Sequence, residues 1–413
     1  MNLMKIRGVN SCRGCGSQEL SNILSLGSLP IANELMKDVD SLVEVFPLDL
    51  SICAKCCLGQ VGDTVSRGRL FSDYRYLSSI SHSFLKHAEE YTKLVTELIQ
   101  FKPGDWVLEI ASNDGYLLKN FVSMGIDCLG IEPSENVSKI AKSIGVPTQN
   151  SFFGESVANE LVRSKGYPKL VIANNVLAHV PDIPDFIKGI EIVTGPSTII
   201  SVENPSIMNI FKDMQFDSIY HEHYSYLSVT AVEKLLDNTD LKLFDAQKIS
   251  THGGSIRYWI SRKSLDSKHP SRVLEIKAEE MRSGIFEPDN WSRLQSSVSE
   301  IAISFRDLLN GLSDKNARVW GFGAAAKAST ILNYSKIEKG MIRGIADSSP
   351  EKQGWFMPTQ GIPIVAPDEM YKDNPTHIII FPWNIAEELK SSILGNLGST
   401  TKILKLIPSI QEL

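Results

Sequence analysis

A chain of 413 residues has room for two to four domains of the usual ~100–200 residues, each with a core of its own. Hydrophobic residues make up 42% and charged residues 22%, the balance of an ordinary water-soluble protein. The net charge of −6 argues against a broad nucleic-acid-binding face, which needs a basic excess, but leaves room for a local basic pocket that holds one diphosphate. No apolar run reaches the roughly 18 residues of a membrane span, and the polar Met1–Ile6 opening lacks the apolar stretch of a secretory leader. A cytoplasmic protein, with no membrane and no nucleic acid among its partners, is expected.

Five of the six cysteines fall at Cys12, Cys15, Cys53, Cys56 and Cys57. Cys12-Arg-Gly-Cys15 and Cys53-Ala-Lys-Cys56 are paired C-x2-C knuckles, and two thiolates two residues apart can reach one metal ion. Four thiolates close a tetrahedron and leave no open position, so the pattern predicts a structural zinc; a redox pair is the competing reading. Cys57 is then a spare neighbour, and Cys128 reads as a buried strand residue.

Apolar residues at three- and four-residue steps (Phe84, His87, Tyr91, Val95, Leu98) predict a helix over about 80–100. Strands follow at Trp106–Ile110, Asp127–Ile131, Leu170–Ala173 and Thr198–Val202, with helical stretches between them. That alternation predicts a parallel, doubly wound sheet. Leu294, Val298, Ile301 and Phe305 place helices in the stretch from about 265 to 315, bridging to a second unit. There the pattern restarts: strands at Ala317–Gly321, Ile342–Ala346 and His377–Phe381, with a glycine turn after the first, form a smaller Rossmann-like unit.

The stretch Glu109-Ile-Ala-Ser-Asn-Asp-Gly115 ends the first strand of the larger sheet in a turn of small residues, at the carboxyl edge where such sheets bind ligands. No full G-x-G-x-x-G is present, so a dinucleotide pyrophosphate fits poorly. Glu132, at the end of the next strand, is placed to hold a ribose diol. A nucleoside without phosphates, as in S-adenosylmethionine, suits this turn; a plain α/β turn beside an exposed Glu is the bland alternative.

Over almost its full length the chain resembles the nucleotide-sugar C-methyltransferases, enzymes that methylate C-3 of a 4-keto sugar. The resemblance rests on both knuckles, Tyr74-Arg-Tyr76-Leu-Ser-Ser79, Glu109–Gly115, Asn175-Val-Leu-Ala-His179 and Tyr220-His-Glu-His223-Tyr-Ser-Tyr226. It continues through His252-Gly-Gly-Ser-Ile-Arg257, Gly321-Phe-Gly-Ala-Ala-Ala-Lys327 and Pro382-Trp-Asn384, eight blocks in order that are specific only together. Ala111 stands where a glycine is expected, a mild change in view of its size. The resemblance implies a class I methyltransferase sheet between a small zinc-binding domain and a C-terminal Rossmann-like domain, divided as residues 1–70, 71–265 and 266–413. It implies S-adenosylmethionine as cofactor, with Glu109, Ser112, Asn113, Gly115, Glu132 and Asn174 as its contacts. The substrate is then a nucleotide-diphosphate 4-keto sugar lying between the last two domains, and the protein is expected to be a monomer.

Methylation of a carbon beside a ketone needs a base for the α-proton and donors for the enolate oxygen. His223 is the candidate base, because imidazole titrates near ~6.5. Tyr220 and Tyr76 are candidate donors to the oxyanion, and Glu222 can orient the imidazole. Two other readings stay open: His221-x-His223 as a pair of metal ligands on one strand face, and the whole cluster as core. Gly253 and Arg257 suit a substrate anion, against a plain turn with a surface Arg. Gly323 and Lys327, at a helix start, suit the substrate nucleotide. His179 reads as a core histidine. The main rival is an NAD-dependent nucleotide-sugar dehydrogenase or epimerase, using the C-terminal glycine turn with Asp347 on the ribose. A zinc-ribbon RNA-modifying protein and a non-enzymatic module are the other two; the acidic balance opposes the first, and the intact Tyr76, Tyr220, Glu222 and His223 oppose the second.

Overall fold

The computed structural model describes residues 7–71, 76–266, 272–398 and 400–413. The Met1–Ile6 opening and Tyr74 and Arg75 of the block around Tyr76 lie outside them.

The N-terminal unit is built on three antiparallel strands, β1 (Leu20–Pro30), β2 (Val45–Cys53) and β3 (Gly59–Val61). Along β2, Phe46, Leu48, Leu50 and Ile52 are buried at every second position, as one packed face requires. The first knuckle precedes β1 and the second closes β2. The ligand atoms of Cys12, Cys15, Cys53 and Cys56 lie within 4.8 Å of one another. A tetrahedral zinc with bonds of about 2.3 Å sets its sulfurs about 3.8 Å apart, so the four thiols fit the ion. Cys57, next to the second knuckle, is free, and Cys128 is buried in its strand.

The central unit opens with α1 (His82–Ile99), capped by Ser81, whose Oγ accepts the Phe84 N–H. Strands β4 (Trp106–Ile110), β5 (Asp127–Ile131), β6 (Thr148–Gln149), β7 (Leu170–Asn174) and β8 (Ile199–Pro205) follow. After β9 (Ser225–Tyr226) and α2 (Val229–Leu235), the strands β10 (Leu241–Ile249) and β11 (Ser255–Arg262) complete a seven-stranded sheet of order β10-β11-β8-β7-β4-β5-β6. It is parallel from β8 to β6, with β11 antiparallel to β8. β4 and β7 are buried throughout, which is why both read as apolar runs rather than alternating ones. The chain reverses direction at β4, so a crevice opens at the carboxyl ends of β4 and β7. This is the doubly wound methyltransferase sheet that the sequence implies.

β9 does not join that sheet. It pairs with β3 and becomes the fourth strand of the N-terminal sheet. On the knuckle side, Cys12, Cys53 and Cys56 share one apolar cluster with Val229 and Val232 of α2. The zinc site is therefore also the contact between the two units.

Helices α3 (Val273–Ser283) and α4 (Pro288–Ser313) lead to the C-terminal unit. The buried stripe of α4, including Trp291, Leu294, Val298 and Phe305, shares one core with Leu24 and Leu50 of the N-terminal sheet and with Ile331 and Leu332 of the C-terminal unit. The bridge expected from helical spacing thus reaches the N-terminal sheet as well. The C-terminal unit has β12 (Val319–Phe322), α5 (Ala326–Tyr334), β13 (Ile345–Ala346), β14 (Ile364–Val365), β15 (His377–Ile380), β16 (Lys402–Lys405) and β17 (Gln411–Glu412), with sheet order β14-β13-β12-β15-β16-β17. No described helix is long and apolar enough to cross a membrane.

Because three of the four thiols are buried where two units meet, a Cys12→Ser/Cys15→Ser variant should lose its zinc and melt at lower temperature than the wild type. Metal analysis of purified protein and a thermal scan check this; a variant that keeps one zinc per chain, or melts normally without it, contradicts the structural role.

Candidate active site

At the carboxyl edge of β4 the backbone turns sharply. Ala111 and Asn113 have φ of 56° and 50°, and Gly115 has φ of 79°. A Cβ on Gly115 would lie 3.0 Å from Val146, so this position is closed to other residues on two counts. Ala111 is a larger departure than its size suggests, since a left-handed L-residue carries about 1–2 kcal/mol of strain.

The side chains of this turn divide into two sets. Asn113 Oδ1 accepts the Ser78 N–H at 3.0 Å and its Nδ2 donates to the Tyr76 carbonyl at 3.1 Å, while Asp114 Oδ2 accepts the Ser79 N–H at 3.1 Å. The Asn113 amide therefore straps the segment bearing Tyr76 onto the turn and is not offered to a cofactor. Tyr76 lies in the resulting cleft, 39% exposed but walled by protein; burial, and then Asp114, push its phenol up to about 12.

The second set faces inward without partners: Glu109 Oε2, Ser112 Oγ, Asp114 Oδ1 and Asn174 Oδ1 are buried and make no hydrogen bond among the described residues. Burial first, then Asp114 and Glu132, raise the Glu109 carboxyl well above its ordinary range. Glu132 is raised as well, burial outweighing the N–H groups of Ser134 and Asn113, which it accepts at 2.8 and 3.0 Å. Glu132 thus fixes the backbone of the turn. Unpaired polar atoms and crowded buried acids fit a polar, cationic nucleoside, and S-adenosylmethionine is one.

The segment Tyr220–His223 is a turn, not a strand, so its two histidines point apart. His221 Nε2 donates to the carbonyls of Phe46 and Pro47 at 3.2 Å each. The paired-ligand reading of these histidines fails on that geometry. Among the described residues the four cysteines are the group of side chains that gathers for a metal ion. Glu222 also faces away from His223: its Oε1 accepts Asn33 N–H at 2.9 Å and Asn33 Nδ2 at 3.0 Å. The expected support of the imidazole by Glu222 is therefore corrected. His223 Nδ1 is held instead by the Ser218 carbonyl at 3.0 Å, and its Nε2 lies 2.8 Å from Tyr220 Oη. A backbone carbonyl can only accept, so Nδ1 carries the hydrogen, Nε2 carries the lone pair, and Tyr220 donates. Burial first, then His179, hold the His223 imidazole well below 6.5, so it is neutral at physiological pH.

His179 is not a core histidine. Its ring centroid lies 4.7 Å from that of His223, and its Nδ1 donates to the Glu222 carbonyl at 2.7 Å. From the C-terminal unit, Lys327 reaches Ser218 Oγ and lies over the Trp383 ring at 4.7 Å, and Trp383 Nε1 donates to Asp217 at 2.7 Å. Burial lowers the Lys327 ammonium and raises the Asp217 carboxyl, each partly offset by the other's charge. Lys327 thus stands at the Tyr220–His223 pair, whereas Gly323 does not: its N–H is spent on the Ala346 carbonyl, and it leaves room for Pro382, 2.5 Å from where a Cβ would be.

Gly253 makes room for another aromatic. A Cβ there would meet Trp383 at 2.3 Å, and its φ is 83°. Arg257 is not a substrate-facing arginine. It is 4% exposed, its Nε donates to Glu203 at 2.6 Å across the β8–β11 pair, and it lies over Tyr91. Removing so buried a charge from its partner costs more than an anion would return. His252, Ser218, Asp217, Trp383 and Asn33 carried no role in the sequence. His252 and Trp383 stand inside motif blocks, but Asn33 lies 189 residues from Glu222 and gave no signal.

Family models match three consecutive parts of the chain: a zinc binding domain at residues 12–71, a methyltransferase domain at 83–246 and a C-methyltransferase C-terminal domain at 250–408. The C-methyltransferase NovU of Streptomyces niveus is 31% identical over 386 residues, 93% of this chain and 92% of its own. The chain belongs to the S-adenosylmethionine-dependent C-methyltransferases. Among solved structures, a methyltransferase from Anabaena variabilis matches 42% of this chain and 84% of its own at 13% identity and a TM-score of 0.35. A protein from Pyrococcus horikoshii matches 48% and 98% at 14% identity and a TM-score of 0.36. The methyltransferase uses S-adenosylmethionine, and its four clustered cysteines are the zinc-binding group. The dehydrogenase reading finds no support in the C-terminal turn: Asp347 accepts the N–H groups of Ala324 and Ser349, each at 2.8 Å, and faces Lys352 at 3.5 Å.

Glu132→Ala removes both the candidate ribose contact and the acceptor of two buried N–H groups. It should weaken S-adenosylhomocysteine binding by about 1.5–3 kcal/mol and lower the stability of the unliganded enzyme by about 1–3 kcal/mol. Calorimetry and chemical denaturation read the two separately; a loss of affinity with unchanged stability would assign Glu132 to the ligand alone.

Proposed function

We propose that the enzyme methylates C-3 of a nucleoside-diphosphate 4-keto deoxysugar through an enolate. The observation that carries this reading is the Tyr220–His223 pair at 2.8 Å, beside His179 just beyond Asn174 at the cofactor crevice. Carbon is not nucleophilic until a proton leaves it, and a ketone at C-4 makes the neighbouring hydrogen acidic. Tyr220 Oη takes the C-3 proton while its own hydrogen passes to His223 Nε2. The Ser218 carbonyl, already bonded to Nδ1, supports the imidazolium that results. This amends the simplest reading, in which His223 takes the proton directly: its lone pair is occupied by the tyrosine. When bound, S-adenosylmethionine supplies an electrophilic methyl group. The resemblance to nucleotide-sugar enzymes supports the substrate class, and the approach of Lys327 and Trp383 of the C-terminal unit to Ser218 and Asp217 supports the place.

His223→Asn should lower turnover by about 10²–10⁴-fold with affinity for S-adenosylhomocysteine near normal. Mass spectrometry of labelled methyl transfer onto a panel of 4-keto deoxysugar nucleotides tests the reaction; label on oxygen or nitrogen would refute it, and label at C-5, the other carbon flanking the ketone, would move the site.

The base must be unprotonated to act, and burial sets its titration well below 6.5. The rate should therefore hold level as pH falls through 6.5 and be lost only at lower pH. A pH profile of kcat/KM that breaks at or above 6.5 in the acid direction would contradict a buried imidazole.

A further inference from the structure

An enolate oxygen needs donors, and the Tyr220 hydroxyl hydrogen is already committed to His223 Nε2. Other N–H or O–H groups, not spent within the protein, must face O-4 of the substrate. Among the described residues, two side chains near the Tyr220–His223 pair offer such groups. Lys327 offers three hydrogens and has one hydrogen-bond partner among the described residues, Ser218 Oγ. Its ammonium lies against the same Ser218 whose carbonyl holds His223, so it adjoins the proton-abstracting pair.

The second is His252. Its Nε2 is buried and has no hydrogen-bond partner among the described residues. Its backbone is left-handed, with φ of 54°, a conformation that concentrates at functional sites when a non-glycine residue holds it. On one side its ring meets Phe84 edge-on at 5.2 Å, and Phe84 stacks at 5.0 Å on Tyr116, next to the cofactor turn. On the other side, the neighbouring Gly253 lies against Trp383, whose ring also carries Lys327. His252 therefore stands in the seam between the cofactor wall and the Lys327–Trp383 pair. The groups that face it are Lys327 of α5, Glu203 of β8, His87 of α1 and His179 after β7; with burial, the balance brings its imidazole down to about 4. A neutral imidazole with hydrogen on Nε2 is a competent electrophile toward a carbonyl oxygen.

We infer that Lys327 and His252 are catalytic donors to the O-4 oxyanion, Lys327 as an ammonium and His252 as a neutral imidazole. The inference rests on the proton-abstraction reading above. The C-3–H electron pair becomes the C-3–C-4 double bond, the carbonyl π pair moves to O-4, and the proton leaves on the Tyr220–His223 pair. When the methyl group joins C-3, the pair on O-4 re-forms the carbonyl, and nothing is oxidised or reduced. The role differs from holding the substrate's diphosphate, because donors to an oxyanion act on the transition state and leave ground-state binding little changed.

The test is loss of the C-3 hydrogen into deuterated water, with zinc-loaded enzyme, S-adenosylhomocysteine and a thymidine- or guanosine-diphosphate 4-keto deoxysugar. Lys327→Met and His252→Phe should each slow this exchange, and kcat, by about 10²–10³-fold, with KM and S-adenosylhomocysteine affinity near wild type. His252→Gln, which keeps a side-chain N–H, should recover part of the loss. The unchanged S-adenosylhomocysteine affinity confirms that each variant is folded. Exchange at the wild-type rate in both variants overturns the inference. So does a Lys327→Met variant whose KM rises while kcat holds, which would place the lysine on the diphosphate. Wild-type enzyme that exchanges no C-3 hydrogen overturns the proton-abstraction reading itself, and this inference with it.

Discussion

The Tyr220–His223 turn of this enzyme is held from outside its own domain. Phe46 and Pro47 of the N-terminal sheet accept the His221 N–H, Asn33 donates twice to Glu222, the Tyr224 hydroxyl donates to the Val65 carbonyl, and β9 pairs with β3. Tyr220 and His223 sit between and beside these anchors. Their 2.8 Å contact depends on a sheet that is in turn pinned by the zinc knuckles. A closed four-thiolate site has no chemistry to offer, yet it fixes the strands that hold the Tyr220–His223 pair. A hydrogen bond to a buried carboxylate such as Glu222 is worth about 1.5–3 kcal/mol, enough to define one geometry for the turn.

Burial does a second job in the cleft. His179, His223 and His252 all have imidazoles well below their ordinary range, the first and last down to about 4, because burial disfavours the charged ring. His179 and His223 each give their Nδ1 hydrogen to a backbone carbonyl. That fixes which nitrogen bears a lone pair and so separates acceptor from donor among chemically equal side chains. A cation in contact with the pair's support, Lys327, arrives from a different domain. Packing of the C-terminal unit against residues 217 and 218 therefore sets part of the charge around the pair.

The two Rossmann-like units share a device. In each, the acid at the end of the second strand accepts one N–H from the turn after the first strand and one from two residues beyond itself: Glu132 from Asn113 and Ser134, Asp347 from Ala324 and Ser349. The acid thereby welds two loops across the carboxyl edge of the sheet. What differs is the surroundings. Glu132 stands among the unpaired polar atoms of Glu109, Ser112 and Asp114, whereas Asp347 is met by Lys352, whose ammonium also donates to the Ala324 carbonyl. One turn keeps unpaired polar atoms among the described residues, and the acid of the other is met by a lysine of its own unit.

Local chemistry made the fold and the metal legible in the sequence. Cysteine spacing is a short-range property, and the apolar runs of β4 and β7 follow from burial on both faces of a parallel sheet. Residue type and motif also marked Tyr220 and His223 as candidates for the chemistry and Lys327 as a candidate for the substrate nucleotide. Their partners were not legible, because a hydrogen bond depends on direction, and direction at a turn is set by whatever packs against it. Glu222 looked like the natural companion of His223, but Asn33, far away in the chain, draws its carboxylate the other way. Arg257 looked like a surface anion contact, but its strand lies beside β8, and Glu203 claims it inside the sheet. His179 looked like core, but the turn from 220 to 223 comes to it only when β9 joins a sheet in another domain. Sequence determined which groups this protein has to work with; the long-range pairing of strands decided which of them face each other.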